Sequence, residues 1–166
     1  MTSRPRTPRC IYWDTSALVR KLYRNKHRSW INGLFRGSGH VNYASELTVL
    51  EVASALACRV RDKEIDAVAY DRARRQFMED IANRRVTLVT FDQRVMIDAL
   101  QLIDYVGVSH GKSLKTNDAC HIRSARDLAM RSKSKVVFVT MDETLSKIAL
   151  TVPYVSEHLI VRYRHP

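Results

Sequence analysis

Four carboxylates, Asp14, Glu51, Asp118 and Asp142, are the side chains of this sequence best suited to do chemistry together. Asp14 follows the apolar run Cys10-Ile-Tyr-Trp13 and precedes Thr15 and Ser16, so the chain turns from strand to helix around it. Asp142 follows Val136-Val-Phe-Val-Thr-Met141 in the same manner, and Asp118 lies in a first helical turn, Thr116-Asn-Asp-Ala-Cys-His121. Each of these three also passes as a helix cap or a first-turn acid favoured by the helix dipole. Glu51 does not. It lies inside a helix, and its neighbours three and four residues away are Leu47, Thr48, Ser54 and Ala55. None is basic, so no intrahelical ion pair accounts for the charge. An isolated carboxylate avoids so apolar a face unless it meets a cation in a cleft.

Converging carboxylates make chemical sense around a divalent ion. Mg²⁺ and Mn²⁺ prefer carboxylate and water oxygens and take a substrate phosphate as a further ligand. Such an ion activates water and neutralises the charge that grows on a phosphodiester during in-line attack. Two further acids read differently. Glu46 sits in the first turn of the helix that carries Glu51, where the dipole alone favours it, and is read as structural. Val86-Thr-Leu-Val-Thr-Phe-Asp92 repeats the form of the segment ending at Asp142. Spacing alone does not separate Asp92 from Asp142, and helix capping is the default role for Asp92.

The elements that must position these acids alternate. Strands are predicted at Cys10–Trp13, Val41–Tyr43, Val86–Val89 and Val136–Val139. Helices are predicted from Ala17 to Tyr23, capped by Thr15 or Ser16, and from Ser29 to Phe35. Others run from Glu46, after a Ser45 cap, to Arg61, from Asp66 to Asn83, and from Asp92 to Val106. Gly107 to Lys115 reads as a polar loop, and Thr116 as the cap of a helix reaching about Arg131. A short helix, Glu143 to Leu150, leads to a basic tail ending Arg162-Tyr-Arg-His165. Long helical crossovers suit parallel pairing, so the expected fold is α/β, with helices on both faces of a mostly parallel sheet of 4–5 strands. Ligands of such sheets gather beyond the carboxyl ends of the strands, which is where Asp14 and Asp142 fall.

The chain carries 28 Lys+Arg against 17 Asp+Glu, a formal net charge of +11, which favours polyanionic partners such as nucleic acid without choosing among them. Residues 1–9 read as a basic arm ahead of a single domain at 10–166. No apolar stretch approaches the length of a membrane span or a signal peptide, so the expectation is a cytoplasmic protein without a membrane partner. Cys10, Cys58 and Cys120 are far apart and read as reduced core residues rather than a disulfide or zinc site. The basic segment from Arg59 to Arg85 reads first as a solvated helical face and second as a substrate track.

Four blocks resemble the PIN-domain family, and within it the VapC-type toxins of toxin–antitoxin pairs. They are Tyr12-Trp-Asp-Thr-Ser-Ala-Leu-Val19, Ala44-Ser-Glu-Leu-Thr-Val-Leu-Glu-Val-Ala-Ser-Ala-Leu56, Leu114-Lys-Thr-Asn-Asp-Ala-Cys-His-Ile122 and Val137-Phe-Val-Thr-Met-Asp-Glu-Thr-Leu145. The resemblance implies a three-layer α/β/α PIN-like domain with Asp14, Glu51, Asp118 and Asp142 in the family's four acidic positions. It selects Asp142 over Asp92, and it implies Ser16 and Thr140 as supporting hydroxyls. It further implies Mg²⁺ or Mn²⁺ dependence, endonucleolytic RNA cleavage, a homodimer and neutralisation by a small antitoxin protein. The third block departs from the pattern in continuing His121-Ile-Arg-Ser-Ala125, which is more polar than the family's usual helix.

Two other functions compete with this expectation. One is a catalytically weak RNA- or ribosome-binding module on the same fold. The other is a small-molecule phosphohydrolase, which lacks support because the chain has neither a phosphate-binding glycine loop nor a second Asp two residues after Asp14.

Overall fold

The computed structural model describes residues 9–23 and 25–163. Strand β1 (Arg9–Trp13) leads through α1 (Thr15–Leu22) and α2 (Arg28–Phe35) to β2 (His40–Ser45). Then come α3 (Leu47–Arg61), α4 (Ala67–Ala82), the short β3 (Thr87–Val89) and α5 (Gln93–Asp104). The chain continues through α6 (Thr116–Ser132), β4 (Val136–Thr140), α7 (Glu143–Thr151), the single turn α8 (Pro153–Ser156) and β5 (Leu159–Tyr163). The strands form one sheet in the order β3-β2-β1-β4-β5. All four pairings are parallel, with Tyr12 beside Tyr43 on one side and Phe138 on the other.

Both faces of this sheet are covered because side chains on the central strands alternate between two cores. Tyr12, Val136 and Phe138 enter a core with Leu102, Ala119, Ile122 and Leu145 from α5, α6 and α7. Ile11, Trp13, Val137 and Val139 enter the other, with Leu18, Ile31, Val52, Leu56 and Phe77 from α1 to α4. The period-two pattern of β1 and β4 thus fixes which helices lie on which side, and the result is an α/β/α fold. The chain leaves β1 toward β2, whereas β4 docks on its opposite edge, so the strand order reverses between β1 and β4. Open parallel sheets bind ligands in the crevice at such a point.

The structure corrects several local expectations. Arg9, expected at the end of the basic arm, is the first residue of β1, and residues 1–8 lie outside the described residues. Gly107 to Lys115 is not wholly a loop, because Tyr105–Ser109 forms a π-helical turn. Burial of Val106 carries the helix past Asp104, and Gly111, at φ +59°, sits where it has ended. Part of the basic tail is a strand: Leu159–Tyr163 pairs with β4 along its whole length, and residues 164–166 lie outside the described residues. Neither Thr15 nor Ser16 caps α1. Asp14 does, its carboxylate accepting from the Ser16 N–H at 3.3 Å. Thr116 is the first residue of α6 rather than its cap; Lys115 holds the cap position without a side-chain bond.

The three cysteines are free thiols. Among the described residues no helix is long and apolar enough to cross a membrane.

Candidate active site

Asp14, Glu51, Asp118 and Asp142 line a single cleft of about 320 Å³, together with Ser16, Val19, Arg20, Ala55 and Arg59. Two strand ends and two helices bring them there. Asp14 and Asp142 leave the carboxyl ends of the neighbouring strands β1 and β4, and the Asp14 N–H donates to the Val139 carbonyl at 2.9 Å. Glu51 comes from α3 and Asp118 from the first turn of α6, helices that pack into the two different cores.

Hydroxyl groups lock the two strand ends together. The Asp14 Oδ2 atom accepts from the Thr140 hydroxyl at 2.9 Å and from the Ser16 hydroxyl. The same Thr140 oxygen accepts from the Asp142 N–H at 3.0 Å, and the Ser16 oxygen accepts from the Met141 N–H at 2.8 Å. Asp14 is 4% exposed, so these donors replace the water that its charge would otherwise require. Asp142 keeps its capping role while lining the cleft, since its Oδ1 accepts from the Leu145 N–H at 2.9 Å.

Glu51 is held differently. Its Oε2 accepts from the Thr15 hydroxyl at 2.6 Å and lies 2.6 Å from His121 Nε2. An ionised carboxylate has no proton to give, so the proton in the second contact belongs to Nε2. The other ring nitrogen, Nδ1, is 3.0 Å from the Tyr12 hydroxyl. Burial raises the Glu51 carboxyl, but His121, Thr15 and Asn117 outweigh it and keep the group below its ordinary value. Burial lowers the His121 imidazole, and here Glu51, Asp14 and Asp118 outweigh it and raise it. His121 Nε2 also lies 3.6 Å from Asp14 Oδ1, so this 1% exposed ring joins two of the acids from beneath.

In the sequence, His121 is marked only by its place in the third block. What would have exposed its role is the pairing of Tyr12 and Glu51 across the fold, which local spacing does not encode.

Asp118 is the group under electrostatic pressure. Burial and then the charges of Asp14 and Asp142 push its carboxyl up to about 6, against weaker opposing effects of Lys115 and His121. Among the described residues, no three His, Cys, Asp or Glu side chains are gathered closely enough to hold a metal ion by themselves. The donor set is still of the kind that suits Mg²⁺ or Mn²⁺, which keep several waters and bind through one or two carboxylates. The mutual repulsion felt at Asp118 is the field that a divalent cation would relieve.

The remaining acids lie elsewhere. Asp92 caps α5 through the Val95 N–H at 3.0 Å and follows β3, the edge strand two places from β1. It does not line the cleft. Glu46 accepts from the Phe91 N–H at 3.1 Å and so ties the start of α3 to the segment after β3. Of the basic segment, Arg59 enters the cleft, whereas Arg74 and Arg75 pair with Asp71 on the exposed face of α4.

The PIN domain matches residues 11–150, and the chain belongs to the PIN-domain family. The fold is therefore of nuclease type. No curated protein is a match to the chain.

Proposed function

We propose that this protein is a metal-dependent endoribonuclease that hydrolyses RNA phosphodiester bonds. The supporting observation is the lining of one cleft, at the reversal of strand order, by four carboxylates of which one is pushed up to about 6 by burial and two of the others. Asp14, Glu51 and Asp118 would hold Mg²⁺ or Mn²⁺, directly or through the waters the ion keeps, and Asp142 would complete the set or hold the attacking water. When bound, the ion supplies a lowered pKa for water and neutralises charge on the phosphoryl oxygens. The protein's own part is positional. Ser16 and Thr140 fix Asp14, while Thr15 and His121 fix Glu51, so neither carboxylate reorganises when the water oxygen bonds to phosphorus and the opposite P–O bond breaks.

The toxin of a type II toxin–antitoxin pair is the biological role that the four VapC-like blocks favour, acting in the cytoplasm as one domain. A small antitoxin protein and a second copy of the chain are its proposed partners. Met96, Ile97 and Leu100, exposed on α5, are apolar side chains that a homodimer would cover.

One observation favours a second reading, a catalytically weak RNA-binding module. Glu51 is already satisfied by His121 and Thr15. Calorimetric titration of Mn²⁺ into the metal-free protein separates the two. The nuclease reading expects saturable binding that Asp14→Asn weakens at least about tenfold, a loss of roughly 1.4 kcal/mol. Absence of binding to the wild type would favour the module.

A further inference from the structure

The cleft holds charges of both signs that do not neutralise one another. Arg20 and Arg59 line it alongside the four carboxylates. Among the described residues, neither guanidinium makes an ion pair with Asp14, Glu51, Asp118 or Asp142, and Arg59 instead meets Glu64 at the rim, at 2.6 Å. Arg20 makes no side-chain ion pair at all within the described residues. Half-buried arginines that line the same cleft as the acids without pairing with them leave room for a group that contacts both, through a cation on one side and through anionic oxygens on the other.

Helix geometry explains how the two arginines come to share this wall. Ser16 and Arg20 are one turn apart on α1, so the residue that holds Asp14 and the arginine lie on the same face. Glu51, Ala55 and Arg59 follow at the same interval on α3, and all three line the cleft. The rise per residue puts Arg20 about 6 Å along its helix from Ser16, and Arg59 about 12 Å along its own from Glu51. Arg20 thus stands about one turn beyond the residue that holds Asp14, and Arg59 about two turns beyond Glu51, on helices that line the same cleft.

We infer that Arg20 and Arg59 are the phosphate-binding wall of this cleft, which receives the backbone of single-stranded RNA. Arg20 takes the phosphate nearest the acids and Arg59 the one beyond it, exchanging its rim contact with Glu64 for a phosphate oxygen. Arginine suits this task because its planar fork grips two phosphate oxygens at once. The inference rests on the nucleic-acid reading of the cleft, but not on its ability to cleave.

The test is therefore binding without metal. Anisotropy of a fluorescein-labelled single-stranded oligoribonucleotide is measured in EDTA between about 50 and 200 mM KCl, with RNA integrity checked on a gel. Each lost phosphate contact on a single strand lowers the salt slope by about 0.7, so the ratio of Kd values across this range shrinks by about 2.6-fold for Arg20→Ala and for Arg59→Ala. Arg20→Lys and Arg59→Lys keep the slope, because lysine keeps the charge. Arg131→Ala, at the far end of α6 and paired with Asp127, is the control for general positive charge. Unchanged slopes for both cleft variants, or an equal drop for Arg131→Ala, overturn the inference. A wild type that never cleaves RNA but shows the expected slopes would instead remove the nuclease reading and leave this one standing.

Discussion

Replacing Asp118 by Asn should stabilise the metal-free protein, although it damages the proposed site. The carboxyl of Asp118 moves from an ordinary 3.8 up to about 6 in the folded chain, by burial first and then by Asp14 and Asp142. A carboxyl with a folded value above its unfolded one binds its proton more tightly when folded. Its ionisation therefore costs stability, a cost absent below about pH 4 and fully present above about pH 6. A rise of that size corresponds to about 3 kcal/mol for a fully shielded group. Asp118 is only half-buried, and solvent screening reduces the figure to about 1 kcal/mol. For a domain of this size that is a rise of about 2–4 °C in Tm for Asp118→Asn at about pH 7.5. Thermal melts in EDTA read the difference, which should shrink steadily between about pH 6 and pH 4 as the wild-type carboxyl takes up its proton. Addition of Mg²⁺ should raise the wild type more than the variant. A variant that melts at or below the wild type near neutral pH, or an advantage that persists unchanged at about pH 4, would refute the electrostatic argument.

His121→Ala removes the partner of a carboxylate and the contact of a buried tyrosine hydroxyl at once. A loss of about 3 kcal/mol is expected, or about 6–12 °C in Tm, and urea unfolding that matches the wild type would contradict it. Asp92→Ala should cost about 1 kcal/mol, as loss of a helix cap does, while leaving RNA cleavage unchanged. A cleavage defect in that variant would return Asp92 to the site.

The fold was readable where local pattern and tertiary packing agree. Cys10–Trp13 and Val136–Val139 are apolar and β-prone because both faces of the central strands are buried, and the acids that follow them mark the strand ends. The fifth strand was hidden because Leu159-Ile-Val-Arg-Tyr163 ends in a basic stretch, and only its pairing with β4 makes it a strand. The π-helical turn at Tyr105–Ser109 was hidden for a similar reason: glycine at 107 suggests an end, and the buried Val106 overrides it. Within the cleft, the isolation of Glu51 among small apolar neighbours was legible, since no local partner explained it. Its actual partner, His121, was not, because the two meet only when α3 and α6, packed into different cores, converge at the carboxyl edge of the sheet. The similarity between the segments ending at Asp92 and Asp142 could not be resolved by local pattern either. It is sheet order, with β3 at the edge and β4 beside β1, that separates them.

The most direct test of the proposed nuclease is cleavage of RNA by purified wild type and Asp14→Asn in Mn²⁺ and Mg²⁺, with EDTA controls. Asp14 is chosen because the hydroxyls of Ser16 and Thr140 give its carboxylate a fixed position that an amide of the same shape can largely keep. Metal-dependent cleavage by the wild type is expected, with its loss in the variant and matching circular dichroism for the two proteins. Equal cleavage by both proteins would contradict the assignment of these acids as the site.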